Sequence, residues 1–375
     1  MAGIYIHIPF CKQLCYYCDF YFSLSLKNKD IVLDSIVKEI ELKKDFFEND
    51  IIETIYFGGG TPSLLSIKEV DRILQTIFNY FKIVKNPEIT FEANPDDINS
   101  EYIKDLFSLK INRLSIGLQS LNDKDLIVLN RKHTAKQSLE AIDIAANCGF
   151  ENITVDLIYG IPNQTIDDWI YNLKTTLSYP ITHLSAYSLT VENNTALNTF
   201  IRKKQLILPP EDIYIDEFSI LKNYTYAHKF VHYELSNFGL EGFFSKHNMS
   251  YWSQKKYLGV GPSAHSFDGS KRYWNVANNL KYVEFMSSGN IHNTVEILSE
   301  KDKFNEYLMT SLRTMWGVNL EYLSNNFSSI FKDYFLLSIK KYLSQKLIIE
   351  SNNFILLSDS GMLLSDRIIS DLFYI

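Results

Sequence analysis

Cys11, Cys15 and Cys18 lie close together near the start of the chain. Residues 4–8, just before them, alternate in polarity as a β-strand does, and Pro9 ends that pattern. The three cysteines are therefore predicted to lie on a loop at the carboxyl end of a strand. Barrel-like α/β folds carry their functional groups on such loops. This cluster constrains the rest of the chain more than any other feature.

Three thiolates are an incomplete set for the common structural sites. A structural zinc ion takes four ligands, a disulfide framework needs an even number of cysteines, and an iron–sulfur cluster is normally held by four cysteines. Three thiolates on a four-iron cluster would leave one iron open to another molecule. Two alternatives stay open: a zinc site completed by His7 or Asp19, and reduced thiols that hold no ligand.

The spacing C-x3-C-x2-C, with an aromatic residue before the last cysteine, resembles the radical S-adenosylmethionine (SAM) superfamily. There, three cysteines hold a 4Fe-4S cluster whose fourth iron chelates SAM. The wider string Y-I-H-I-P-F-C-K-Q-L-C-Y-Y-C-D-F is similar to the oxygen-independent coproporphyrinogen III oxidase family, which includes a branch of heme chaperones. The resemblance implies that Cys11, Cys15 and Cys18 are the cluster ligands.

The overall composition bounds the class of protein. A chain of 375 residues with 46% hydrophobic residues can bury the core of one large α/β domain and a smaller one. The net charge of −7 argues against a nucleic-acid partner. No secretory signal and no apolar run of membrane-spanning length is seen, so we expect a cytoplasmic protein without a membrane span, which leaves peripheral membrane contact open. Cys148 lies in a helical pattern and is predicted to be a small core residue.

Six predicted strands alternate with helices over the first half of the chain. They cover residues 4–8, 52–57, 88–95, 113–119, 152–159 and 182–189. This alternation predicts parallel βαβ units. Six such units predict a partial, open (β/α)6 barrel, since a closed barrel of this kind needs eight. The resemblance implies the same α/β fold, the radical SAM barrel.

The end of the chain predicts a small α+β domain. Helical patterns over 304–315 and 331–345 precede two short strands, 346–350 and 354–357, around a Ser-Asn-Asn turn. This arrangement is typical of a winged-helix-like domain, here predicted to serve as a scaffold or partner surface. The predicted divisions are a radical SAM core at 1–190, an extension at 191–290 that completes the barrel side and holds the heme region, and a C-terminal domain at 291–375.

A glycine triplet, Gly58-Gly59-Gly60-Thr61-Pro62, follows the second strand. Glycines let backbone groups approach a ligand closely, because they lack a Cβ atom. The segment is not a phosphate-binding P-loop, since it lacks the G-K-[ST] ending. Taken alone, it is equally well explained as a tight turn. The resemblance implies that Gly59, Gly60 and Thr61 contact the amino group of SAM.

The resemblance also implies the remaining SAM contacts. These are Glu92, Gln119, Arg131 and Asp156, with Tyr5 and Tyr17 as adenosine contacts beside the cluster. Their chemistry is suitable, because a carboxylate accepts hydrogen bonds from ribose hydroxyls and an arginine pairs with the carboxylate of the methionine moiety. Considered singly, each could also be an ordinary capping or rim residue.

A second motif, H-N-x-x-Y-W, lies within residues 246–252. His247 and Tyr251 are four positions apart and share a face if the segment is helical. A histidine among aromatic residues is often a hydrogen-bonded structural residue. The motif resembles one that marks the heme chaperone branch and is implicated there in heme binding, which makes His247, Tyr251 and Trp252 heme candidates. His265, in the following glycine-containing loop, is a second heme-side candidate.

Two departures separate this sequence from the coproporphyrinogen III oxidases. Those enzymes carry a fourth cysteine two residues after the third, where this chain has Phe20. They also carry an extension before the first strand. The resemblance therefore favours a heme chaperone that retains a 4Fe-4S cluster and SAM and delivers heme to acceptor hemoproteins, which we expect to be respiratory. The alternatives are a radical SAM coproporphyrinogen III dehydrogenase and a zinc-stabilised binding protein.

Overall fold

The computed structural model describes residues 1–289, 291 and 293–375. The first half alternates strands and helices as predicted. Its elements are β1 (Ala2–Ile8), α1 (Lys29–Leu42), β2 (Ile52–Gly59), α2 (Ile67–Tyr80), β3 (Ile83–Ala93), α3 (Ser100–Ser108), β4 (Arg113–Gln119), α4 (Asp123–Val128), α5 (Ala135–Asn147), β5 (Asn152–Tyr159), α6 (Ile166–Thr176) and β6 (His183–Ser188). Of these, only the short helix α4 was not predicted.

The second half is more regular than its sequence pattern indicates. Its elements are α7 (Ala196–Arg202), α8 (Glu211–Ala227), β7 (Val231–Glu234), β8 (Asn237–Gly239), α9 (Lys246–Trp252), β9 (Tyr257–Val260), β10 (His265–Phe267), β11 (Lys271–Trp274), α10 (Asn279–Ser287), β12 (Thr294–Ile297), α11 (Glu300–Leu312), β13 (Val318–Asn319), α12 (Leu320–Asn326), α13 (Ser329–Ser338), α14 (Lys340–Ser344), β14 (Ile348–Ser351), β15 (Phe354–Leu357), α15 (Asp359–Met362) and α16 (Ser365–Asp371). Strands of three or four residues are too short to show a clear period in sequence.

The strands β1 to β6 are neighbours in chain order, and every adjacent pair is parallel. This confirms the predicted open (β/α)6 core. The extension lengthens the core at both edges, because β9 pairs in parallel with β1 and β8 pairs antiparallel with β6. The result is a twelve-stranded sheet in the order β12-β11-β10-β9-β1-β2-β3-β4-β5-β6-β8-β7.

The two faces of the curved sheet differ in polarity. Outward-facing residues such as Ile6 and Val155 are fully buried in the main apolar core, under the helices. The alternate positions, such as Tyr5, Thr154 and Asp156, face the barrel interior. In a closed barrel of eight units the interior is packed with branched apolar side chains. Here polar groups occupy it, and they shape the site described below.

The C-terminal part has its own apolar core, formed by residues between 304 and 372, and a three-stranded sheet in the order β13-β15-β14. Asn352 and Asn353 have positive φ angles of 47° and 68°, which suits the tight turn predicted between β14 and β15. This confirms a small helical domain with a β-wing. Strand β12 still pairs with β11 of the main sheet. The predicted boundary residue 290 lies outside the described residues, and the three domain limits stay predictions.

The starts of several helices follow the predicted chemistry. The Ser66 hydroxyl accepts from the backbone N–H of Glu69, and the Glu69 side chain accepts from that of Ser66, which confirms the predicted capping box of α2. Thr134 and Thr165 cap α5 and α6 in the same way. Within the described part of the chain, no helix has the length and apolar character needed to cross a membrane.

One buried carboxylate joins the core to the extension. Glu39, on α1, is fully buried and accepts hydrogen bonds from the backbone N–H of Gly261 at 2.8 Å, from Asn275 Nδ2 at 2.8 Å and from the Tyr282 hydroxyl at 2.6 Å. These donors lie on the β9–β10 turn, after β11 and on α10. One side chain of α1 thus accepts from three separate segments at the edge that carries β9.

We expect Glu39→Ala to lower the free energy of unfolding by about 3 kcal/mol, because it leaves several buried donors without an acceptor. Urea unfolding would measure the loss. Glu41→Ala is the control: Glu41 lies two positions along the same helix and pairs only with the exposed Lys38, at 3.2 Å. It should cost no more than about 0.5 kcal/mol. Equal effects of the two substitutions would contradict the assigned role of Glu39.

Candidate cofactor site

A cavity of about 650 Å³ opens at the carboxyl ends of the barrel strands. Its lining includes every residue predicted to hold the cluster or SAM except Tyr5. These residues are Cys11, Cys15, Tyr17, Cys18, Gly59, Gly60, Thr61, Glu92, Gln119, Arg131 and Asp156. Residues distant in sequence thus meet because parallel strands end at one edge of the sheet.

The three cysteine thiols are free and partly buried on one side of this cavity. The Thr61 hydroxyl donates to Cys11 Sγ at 3.5 Å, and Arg131 Nη1 donates to Cys15 Sγ at 3.4 Å. The contact from Thr61 favours the thiolate form of Cys11. Burial opposes it and raises the pKa of the Cys11 thiol to about 11. Bound iron would supply the positive charge that keeps these thiols deprotonated, so the donor set fits a 4Fe-4S cluster.

Across residues 1–289, 291 and 293–375, no three His, Cys, Asp or Glu side chains are grouped closely enough to hold one metal ion. Cys148 lies elsewhere, at the C-cap of α5, where its thiol donates to the Ser100 carbonyl at 3.7 Å and the residue packs against the main core.

Two glycines of the triplet pack closely against the segment that joins β1 to the cysteine loop. Gly59 has a φ of +104°, and a Cβ atom there would lie 2.6 Å from His7 Nδ1. A Cβ atom on Gly60 would lie 2.6 Å from the carbonyl oxygen of Phe10, directly before the cysteine loop. Both glycines are therefore required for the end of β2 to pack against the end of β1. The predicted contact of Gly59, Gly60 and Thr61 with SAM stays a prediction.

Glu92 and Asp156 place two carboxyl groups at the floor of the cavity. The Tyr56 hydroxyl donates to Glu92 Oε1 at 2.7 Å, and the Ser115 hydroxyl donates to Asp156 Oδ2 at 3.3 Å. Burial raises the pKa of Glu92 to about 7 and that of Asp156 to about 6. The charge of Asp156 raises the pKa of Glu92 further, whereas the hydrogen bond from Tyr56 opposes the shift. Both groups gain charge near neutral pH.

Arg131 is held by two contacts on its Nη2 atom, to Asn94 Oδ1 at 2.7 Å and to the Gly117 carbonyl at 2.9 Å. Asn94 also donates from Nδ2 to the Thr61 hydroxyl at 3.3 Å. Asn94 thereby joins the glycine loop to the arginine that lies beside the cysteines. No role was predicted for Asn94 from the sequence, although its position directly after β3 places it at the edge where functional residues collect.

Gln119 ends β4 with a φ of +69°, at the point where the pairing of β4 with β5 shifts by one residue. A residue other than glycine in this left-handed region carries strain, and such residues concentrate at functional sites. Gln119 lines the cavity at this shift. Its contact with SAM stays a prediction. Sequence alone contains no sign of this backbone conformation.

The remaining cavity residues were not predicted. They include Phe20, Phe22, Lys132, Tyr187 and Glu192. Tyr187 lies near the end of β6, so the rule that located Glu92 and Asp156 at strand ends would also have found it. Phe20 is 72% exposed at the edge of the cavity, in place of the fourth cysteine found in the oxidases.

Tyr5 is the predicted SAM residue that the structure keeps out of the cavity. Its ring packs 6.0 Å from that of Tyr56 and 6.4 Å from the imidazole of His247. Its hydroxyl hydrogen-bonds His7 Nδ1 at 3.1 Å. Tyr5 therefore lies in the barrel interior, next to the tyrosine that supports Glu92.

Three of the four heme candidates lie on α9, and the fourth lies on β10. His247 is buried near the N-terminal ends of the strands, with Nδ1 2.8 Å from the Thr54 hydroxyl and Nε2 2.9 Å from the Tyr251 hydroxyl. Burial lowers its pKa to about 3, so the imidazole is neutral. The Arg313 guanidinium lies over the ring of Trp252, 5.4 Å from the centroid of that ring.

His265 is exposed on β10, and its ring stacks 5.8 Å from that of Trp274 on β11. None of His247, Tyr251, Trp252 and His265 is among the residues lining the large cavity. Their contact with heme stays a prediction.

Comparison with known proteins agrees with this geometry. Residues 5–175 match the radical SAM superfamily, and residues 298–364 match the HemN C-terminal domain. Coproporphyrinogen III oxidase (HemN) from Escherichia coli, a radical SAM enzyme, has the same fold, with a TM-score of 0.85 over 99% of this chain and 90% of that chain at 22% identity. Fold and site thus define a radical SAM protein.

Closer relatives narrow the class. The protein named heme chaperone HemW from Lactococcus lactis is 35% identical over 97% of this chain and 95% of its own length. The protein of the same name from Bacillus subtilis is 33% identical over 98% of both. The chain therefore belongs to the HemW family, within the oxygen-independent coproporphyrinogen III oxidase-like group of radical SAM proteins.

We expect anaerobically reconstituted protein to contain about four irons and four sulfides per chain, and Cys11→Ala, Cys15→Ala and Cys18→Ala each to lose them. Iron and sulfide analysis, with the visible spectrum before and after dithionite, would measure this. Cys148→Ala is the matched control and should keep its iron. Loss of iron in this control, with retention in one of the other three, would disprove the ligand assignment.

We expect Glu92→Gln to weaken SAM binding and to flatten its pH dependence. SAM carries a positive sulfonium group, so the affinity of the wild-type protein should rise as Glu92 ionises through its pKa of about 7. Calorimetric titrations from pH 6 to pH 8.5 on cluster-loaded protein would test this. A full wild-type pH dependence in the glutamine variant would rule out Glu92 as the source.

The same substitution should raise thermal stability at pH 8. Because the folded-state pKa of about 7 exceeds the ordinary 4.5, the folded state holds a proton that the unfolded state releases between these values. Stability is therefore lost as the pH rises through this window, and a neutral glutamine removes the loss. A melting temperature at pH 8 below that of the wild type would contradict the assignment.

Proposed function

We propose that the protein is a heme chaperone that binds heme and delivers it to acceptor hemoproteins of the respiratory chain, from the cytoplasm. The observation that carries this proposal is the match to two relatives named heme chaperone, at 35% and 33% identity over nearly the whole chain. Phe20 supports it, since a hydrophobic ring stands where the oxidases have a fourth cysteine.

We also propose that the protein retains a 4Fe-4S cluster and SAM. Cys11, Cys15 and Cys18 would hold the cluster, which when bound supplies electrons and one open iron position. Arg131 would pair with the carboxylate of the methionine moiety. Glu92 and Asp156, on the floor of the same cavity, would accept hydrogen bonds from the ribose hydroxyls. Thr61 and Asn94 would hold Arg131 and the cysteine loop in fixed positions relative to each other.

Heme needs an apolar surface and an iron ligand. The edge of the large cavity offers aromatic rings at Phe20 and Phe22, and ring stacking would add to apolar burial there. His247, Tyr251, Trp252 and His265 are our candidates for heme contact. Both imidazole nitrogens of His247 are hydrogen-bonded, one to Thr54 and one to Tyr251. His247 would therefore have to lose one of these hydrogen bonds to bind the heme iron.

The alternative function is oxidation of coproporphyrinogen III to protoporphyrinogen. The Escherichia coli oxidase shares the fold, and at 22% identity the likeness is one of fold alone. Phe20 argues against this function. The zinc-stabilised protein is a third alternative, and metal analysis of anaerobically purified protein separates it from the other two.

We expect hemin titration of the apoprotein to shift the Soret band and to saturate near one equivalent. His247→Ala should weaken binding about tenfold or change the spectrum, if the imidazole is the ligand. His265→Ala should have a smaller effect. His228→Ala is the control, because His228 is exposed at the end of α8. A titration without saturation, or one indistinguishable from that of serum albumin by competition, would contradict specific heme binding.

The same preparation, with reduced cluster and SAM, should form no protoporphyrinogen from coproporphyrinogen III. Anaerobic incubation followed by chromatography of the porphyrins would measure this. Conversion at an enzyme-like rate, on the order of one turnover per second or less, would establish the oxidase function in place of the chaperone function.

A further inference from the structure

A second cavity, of about 60 Å³, lies in the barrel interior next to the large one. All ten residues that line it have a polar side chain. Glu92, Ser115, Asp156 and Tyr187 line both cavities and thus separate them. We call the smaller cavity the inner chamber. It extends from the two carboxyl groups toward the N-terminal ends of the strands, where Asn248 of α9 forms part of its wall.

The inner chamber contains a polar atom that the protein leaves unsatisfied. Thr154 Oγ1 is buried, and the described residues offer it no hydrogen-bond partner. Thr154 lies two positions before Asp156 on β5, so both side chains face the same way. Buried polar groups are almost always hydrogen-bonded to protein or to ordered water. A polar chamber of this size has room for about two water molecules.

We propose that the inner chamber binds ordered water that links Glu92 and Asp156 to the side-chain amide of Asn248. Asn248 is then a positioning residue for these two carboxyl groups of the SAM site. The inference rests on the proposed SAM site, not on heme binding. Asn248 belongs to the H-N-x-x-Y-W motif, whose suggested role has been heme contact. The motif thereby acquires a role in the cofactor site.

The position of α9 supports this role. Glu88, which is buried, accepts from the backbone N–H groups of Lys246 and His247 at 3.1 and 3.0 Å and so fixes the start of the helix inside the barrel. The His247 ring stacks 4.9 Å from that of Tyr56, which donates to Glu92. This is a direct protein route from α9 to Glu92, and the water route from Asn248 would run beside it.

The two carboxyl groups need such support because both carry charge near neutral pH in a partly buried place. Glu92 accepts from Tyr56 and from the Gly59 backbone, and Asp156 accepts from Ser115 and Ser185. A carboxylate has room for about four hydrogen bonds, and a bridging water is nearly as effective as a direct one. The charged and titratable groups around them include Tyr5, Tyr17, Tyr56, Arg113, Arg131, Tyr187 and Tyr251. Removal of the water link should therefore disfavour the ionised carboxylates and move the pH dependence of SAM binding to higher pH.

The test compares Asn248→Leu with Asn248→Ser in cluster-loaded protein. Leucine has a similar size but no polar group, so SAM affinity at pH 7.5 should fall about tenfold and the pH midpoint should rise. Serine keeps a polar group and leaves room for another water, so it should bind within about threefold of the wild type. Asn79→Leu, at an exposed position of α2, controls for the substitution itself. SAM binding by Asn248→Leu that matches the wild type across the pH range would overturn the proposal.

A crystal structure of the wild-type protein near 1.5 Å resolution keeps the test decisive if Asn248→Leu does not fold. Ordered water bonded to Asn248 and to Glu92 or Asp156 would support the proposal, and a chamber without such water would overturn it. Hemin titration of the same variants separates the two functions. Loss of heme binding with an unchanged SAM profile would overturn the role of Asn248 and leave the chaperone proposal standing. A shifted SAM profile in Asn248→Leu, together with a wild-type protein that binds no heme, would support the role of Asn248 and overturn the chaperone proposal.

Discussion

The constraint on which this structure depends is the placement of two carboxyl groups, Glu92 and Asp156, inside a barrel. Burial raises the pKa of both, so charge on them is costly unless polar groups surround them. The inward faces of the strands meet that need with hydroxyl groups, among them Tyr56 and Ser115. The outward faces supply the apolar core. Elements outside the six-stranded core cover this polar interior at the sheet edges and at the N-terminal ends of the strands.

The extension provides these covering elements. Its strands β9 and β8 pair with the two edges of the six-stranded core, and α9 enters the barrel at the N-terminal ends of the strands. Glu39 and Glu88 each hold part of the extension through backbone N–H groups. The C-terminal part is attached next to α9, where Arg313 contacts Glu234 at 3.3 Å and lies over the ring of Trp252. The C-terminal part thus contacts the same helix that supplies Asn248 to the inner chamber.

Close backbone packing brings the cysteine loop to these carboxylates. Gly59 and Gly60 let β2 approach the end of β1 so closely that any side chain would collide with His7 or with the Phe10 carbonyl. Asn94 then ties the glycine loop to Arg131, which contacts Cys15. The cavity therefore has one rigid wall from the thiols to the arginine.

The sequence by itself determined the cysteine loop and the six parallel strands, because these depend on local periodicity and on where a strand ends. Glu92 and Asp156 were named only through the resemblance to a known family. The sequence also placed His247 and Tyr251 on one helical face. Only the tertiary structure decided that this face points into the barrel, that Tyr5 lies outside the large cavity and that Asn94 belongs to it. These outcomes depend on pairings between segments far apart in sequence, such as Glu88 with α9, and on a left-handed backbone at Gln119 that no local pattern encodes.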